Sequence, residues 1–126
     1  TVCPMETANM KMIQDKLKEA DVSAELVSFT VDPERDKPEV LKEYAKKYRA
    51  DFSNWHFLSG YSFEEIQKFS QESFKSLVAA PQPGSDQFTH VTSFFLVNPE
   101  GVIVKKYEGY SETPFDQIVK DIKALQ

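Results

Sequence analysis

The sequence is short of the residues that carry most protein chemistry. It has one cysteine, Cys3, two histidines, His56 and His90, four glycines and one tryptophan. A single cysteine cannot close an internal disulfide, so no disulfide scaffold is available and cysteine usage leaves the redox compartment unread. No apolar run approaches the roughly 20 residues that a membrane-spanning helix needs. Basic clusters are missing too. Lys and Arg never exceed a pair, as at Lys46-Lys47 and Lys105-Lys106, and the net charge of −5 argues against a nucleic-acid partner. No signal-peptide pattern opens the chain, and neither does a methionine; it starts on what reads as the middle of a motif. We therefore expect a longer protein cut upstream of Thr1.

What is present describes one soluble globular domain over residues 1–126, long enough to bury a core without staples. Ten phenylalanines and five tyrosines supply a packed interior. Apolar residues at helical spacing (Ala8, Met12, Ile13, Leu17, Ala20) predict an amphipathic helix from Met5 to about Ala20. Leu26–Val31 is β-branched and aromatic and stops at Asp32-Pro33, which predicts a strand buried on both faces. Asp36-Lys-Pro38 reads as the N-cap and first turn of a second helix carrying Val40, Leu41, Tyr44, Ala45 and Tyr48. A strand is expected over Phe52–Leu58. Ser62 with Glu65 forms a capping box for a third helix carrying Ile66, Phe69, Ser73, Phe74 and Leu77.

Residues 79–89, rich in Pro and Gly, read as a loop. Thr92–Val97 and Val102–Tyr107 flank the turn Asn98–Gly101 as a hairpin, and a last helix starts at Thr113-Pro114. Strands alternating with helices predict a mixed sheet between helical layers. The terminal hairpin and helix narrow this to a thioredoxin-like three-layer α/β/α fold. That fold begins with a central strand running into the first helix, and here the first strand is missing. A gap between Leu26–Val31 and Thr92–Val97 is the expected consequence.

Chemistry centres on Cys3. Pro4 suits a first helical turn, placing the thiol at a helix N-terminus, where the dipole favours the thiolate. The bland alternative is a small buried hydrophobe. His90 ends the Pro/Gly loop just before a strand, where the fold would bring it near Cys3; a Cys/His pair suits an activated nucleophile or a soft metal site. His56, among aromatics in a strand, reads as structural or surface. Asp32 stands at the carboxyl end of a strand, where open α/β sheets bind ligands, or is simply a turn residue. Asp86 reads as solvated, and Met5 and Met10 as core residues before copper ligands.

Cys3-Pro-Met, Ser28-Phe-Thr-Val-Asp-Pro-Glu-Arg-Asp36, Trp55 to Tyr61, Asp86-Gln-Phe-Thr-His90 before Ser93–Val97, and Gly109-Tyr110 together resemble the Sco/SenC family nearly end to end. Members assist assembly of the copper A centre of cytochrome c oxidase, on the outer face of a membrane. The resemblance implies a Cys-x-x-x-Cys pair and a distant histidine as ligands for Cu(I) and Cu(II). Cys3 matches the second cysteine, doubling as a redox thiol, and His90 the histidine. The first cysteine would fall ahead of Thr1, so this chain holds two of three ligands and should bind copper weakly. Asp32 would stand behind the ligands. The implied partner is the copper-bearing oxidase subunit. The implied place is extracytoplasmic, at the bacterial cell membrane through an anchor outside this chain; the alternative is the intermembrane-space side of the mitochondrial inner membrane. The rival function is a thiol–disulfide oxidoreductase or thiol peroxidase on the same fold.

Overall fold

The computed structural model describes residues 4–90 and 92–126. Helix α1, Pro4–Glu19, opens on its proline with Glu6 in the first turn and closes with Lys16 and Lys18, charges that complement the helix dipole at both ends. Its buried face carries Ile13 and Leu17 together with Thr7 and Gln14. Burying Gln14 is tolerated because its amide is satisfied: Nε2 donates to the Asp51 carbonyl (2.8 Å) and to Asn54 Oδ1 (2.7 Å), and Oε1 accepts from the Asp51 N–H.

Strand β1 covers Leu26–Phe29 and pairs in parallel with β2, Trp55–Leu58. Helix α2, Pro38–Lys47, joins them and buries Leu41 and Ala45. Helix α3, Phe63–Phe74, follows β2, and its N-terminus is the expected capping box: Ser62 accepts from the Glu65 N–H while Glu65 accepts from the Ser62 N–H. Strands β3, Ser93–Val97, and β4, Ile103–Glu108, form the antiparallel hairpin, with an irregularity between Leu96 and Val97. Helix α4, Phe115–Ala124, ends the chain.

Helices α1 and α4 pack on one face of the strands around Ile13, Leu17, Leu26, Trp55, Ile118 and Ile122. On the opposite face α3 packs Phe69 against Phe29 of β1 and Phe74 against Phe95 of β3, each pair of rings tilted. The strands form two separate two-stranded sheets, β1-β2 and β3-β4. Between β1 and β3 runs a largely apolar cleft of about 750 Å³, floored by Met10, Ile13 and Leu17 and roofed by Ile66, Phe69 and Phe74. Val31, Glu6 and His90 line it, as do Ser23, Asn98 and Gln126. The expected gap between these two strands is therefore present.

Several local expectations are corrected. Strand β1 stops at Phe29, and Val27 and Phe29 stay 43% and 39% exposed, because the cleft leaves one edge and one face of the strand incompletely covered. Asp36 is not the cap of α2. Lys37 occupies that position with no side-chain cap, since the Asp36 carboxylate accepts from the Thr30 hydroxyl instead. Strand β2 begins only at Trp55; residues 52–54 form a turn in which Asp51 Oδ1 accepts from the Ser53 N–H. Leu77 lies beyond α3, which ends where Lys75 turns left-handed, and Ser70 rather than Ser73 is the buried serine.

Candidate metal centre

His90 is held from both sides by backbone. Before it, Thr89 and Ala79 exchange two hydrogen bonds of 3.0 Å, an isolated antiparallel bridge that closes the Pro/Gly loop. After it, the Thr92 carbonyl accepts from the Gly109 N–H at 2.8 Å. Gly109 is required at this approach: a Cβ there would lie 2.9 Å from the Thr92 oxygen and 3.0 Å from the Phe94 ring. The carbonyls of Gly109 and Tyr110 in turn accept from Asn9 Nδ2 of α1, at 2.8 and 3.2 Å. The clasp Asn9–Gly109–Thr92 thus docks the entry of β3 onto the first turns of α1.

At that junction His90 Nδ1 lies 3.6 Å from Glu6 Oε1, with the two side chains 25% and 17% exposed. Glu6 is three residues along the sequence from Cys3. Cys3 itself lies outside the described residues. Next to Glu6, the buried Thr7 accepts from the Tyr44 hydroxyl of α2 at 3.2 Å, which fixes the helix start laterally. Among the described residues no group of three or more His, Cys, Asp or Glu gathers as a metal site.

Asp32 is buried in the turn after β1. Its N–H donates to Thr30 Oγ1, its carbonyl accepts from the Arg35 and Asp36 N–H groups, and Arg35 Nε lies 3.7 Å from Oδ2. The turn is fastened to β2 and the segment after it. Trp55 Nε1 donates to Ser28 Oγ, Ser59 Oγ to the Asp36 carbonyl, and the Tyr61 hydroxyl to the Thr30 and Leu58 carbonyls. Burial pushes the Tyr61 phenol up to about 12, partly opposed by the Thr30 hydrogen bond, so it stays a donor at neutral pH. The stretches Ser28–Asp36 and Trp55–Tyr61 are therefore one physical unit.

His56 is exposed and pairs with Glu25 at 2.8 Å. Asp86 is exposed in the loop, Met5 is 48% exposed rather than buried, and Met10 packs against the core. Glu6 and Asn9 went unnoticed in the sequence. Helical spacing from Cys3 would have flagged Glu6; the reach of Asn9 to Gly109 is a tertiary contact with no local signal.

These features define a thioredoxin-like α/β protein with an imidazole set against the helix that follows Cys3. The SCO1/SenC family profile matches residues 1–126, and the chain belongs to that family. A SCO1 protein homolog of Bacillus subtilis is 47% identical over 124 residues, 98% of this chain and 64% of the relative, so the chain spans less than two thirds of it. A SCO1/SenC family lipoprotein from Bacillus anthracis superposes with a TM-score of 0.94 at 48% identity, covering 99% of this chain and 73% of that one. BsSco, described as a member of the Sco family of cytochrome c oxidase assembly proteins with a disulfide switch, gives 0.88 at 44% identity, with 99% and 72% covered. Copper-bound yeast Sco1 gives 0.74 at 28% identity, with 97% and 68% covered. No helix among the described residues is long and apolar enough to cross a membrane.

Proposed function

We propose that this chain is the greater part of a copper-binding assembly factor for the copper A centre of cytochrome c oxidase. Copper is its cargo. The Cys3 thiolate and the His90 imidazole bind it, and a further cysteine upstream of Thr1 completes the set. Soft sulfur holds Cu(I), and the imidazole nitrogen also accommodates Cu(II). The same thiols would reduce the cysteines of the oxidase subunit that receives the copper. Asp32, buried in the turn after β1, is assigned in this reading a supporting role behind the ligands.

The observation that carries this reading is the placement of His90 against the first turn of α1, beside Glu6. Support for copper as the cargo comes from the copper-bound yeast relative, and for the oxidase role from the description of BsSco. The lipoprotein relative supports a place outside the cytoplasm at a membrane, through an anchor outside these residues. The test is Cu(I) competition on this chain and on a version extended upstream. The extended protein should bind at least about tenfold more tightly, and His90→Ala should weaken both. Disulfide reduction by the extended protein that persists after His90→Ala, with no copper binding, would favour the oxidoreductase reading instead.

A further inference from the structure

We propose that Glu6 is the positioning residue for His90. Its carboxylate selects the imidazole tautomer protonated at Nδ1 and holds the ring over the first turn of α1, so that Nε2 is the nitrogen assigned to cargo. The proposal deepens the copper reading, and its use in metal binding rests on that reading.

The geometry is direct. Glu6 Oε1 faces Nδ1 at 3.6 Å, and this oxygen is shielded from solvent. A neutral imidazole carries one N–H and a carboxylate oxygen only accepts, so a carboxylate facing Nδ1 favours the tautomer that carries its proton there. Neither partner is free to drift. Glu6 sits in the first turn of a 16-residue helix, next to the Thr7–Tyr44 contact, and His90 lies between the Ala79–Thr89 bridge and the Thr92–Gly109 hydrogen bond. Metal-binding histidines commonly donate their second ring N–H to a carboxylate, which fixes the ring and raises ligand basicity. Glu6 is the carboxylate the structure offers for that purpose.

The test needs no copper at first. In a His56→Gln background, 15N NMR of the single remaining imidazole, titrated to its neutral form, reads the tautomer of His90 directly. The Nδ1–H form should dominate. Glu6→Ala should lower its population, and Glu6→Gln, which keeps an acceptor oxygen without the charge, should retain it. A dominant Nε2–H form in the unsubstituted Glu6 protein, or a tautomer ratio indifferent to Glu6→Ala, overturns the proposal whether or not a variant folds poorly. Cu(I) competition then follows: Glu6→Ala should weaken binding by about tenfold or more, with Glu6→Gln close to the parent. Parent-like affinity in Glu6→Ala contradicts the positioning role. The Nδ1–H tautomer in a chain that binds no Cu(I) contradicts the copper reading alone.

Discussion

Asp121 on α4 accepts from the Tyr107 hydroxyl at 2.7 Å and from Gln117 Nε2 at 2.7 Å, and Lys105 Nζ lies 3.4 Å away. The Tyr107 hydrogen bond, with help from Gln117 and Lys105, holds the Asp121 carboxyl below its ordinary range, while burial and the Asp121 contact push the Tyr107 phenol up. A depressed carboxyl contributes stability that is fully present above its unfolded value of about 3.9 and lost as pH falls through the folded one. Asp121→Asn should therefore lower the Tm at pH 7, and the gap to the parent should shrink steadily below about pH 4. A gap unchanged down to pH 2.5 would contradict that linkage. At the same scale, Cys3 and His90 stand out in the sequence as candidates because rarity, a Pro-marked helix start and a strand entry single them out. Glu6 does not, because one glutamate among many on a helix carries no mark until its neighbour across the fold is known.

The helix starts were readable to within a residue or two, because capping residues and apolar stripes are local: Pro4, the Ser62–Glu65 box and Pro114 all act within one turn. Ser62→Ala should cost about 1 kcal/mol, measured by denaturant unfolding. The strands were read too long. Composition marks Val31 and Phe52 as strand-like, whereas the side-chain contacts of Thr30 with Asp32 and of Asp51 with Ser53 bend the chain first. The clasp between α1 and the hairpin is the least legible element, since it joins Asn9 to Gly109 across most of the chain. Gly109→Ala forces its Cβ against the Thr92 carbonyl and should destabilise by about 1–3 kcal/mol. It should also weaken Cu(I) binding, because the displaced Thr92 carries His90 with it. Unaltered stability would show that β4 yields without strain.

At the scale of the whole molecule, the strands form two separate sheets with a largely apolar cleft between them. Leu26 and Thr30 turn their N–H groups to β2, so by alternation those of Val27 and Phe29 face the cleft. The Val27 and Phe29 amides should therefore exchange with solvent rapidly, while those of Leu26 and Thr30, bonded to β2, are protected. Equal protection along β1 in hydrogen exchange would contradict this. The element order and the gap could be foreseen because a thioredoxin-like order implies a strand ahead of α1, whereas the width of the cleft depends on how α1, α3 and α4 pack around it. The account stands most directly on copper itself. In a Cu(I) competition titration of this chain, Cys3→Ser and His90→Ala should each weaken binding by at least about tenfold, and the double variant should lose nothing further. Cu(I) binding that survives His90→Ala unchanged would contradict the account.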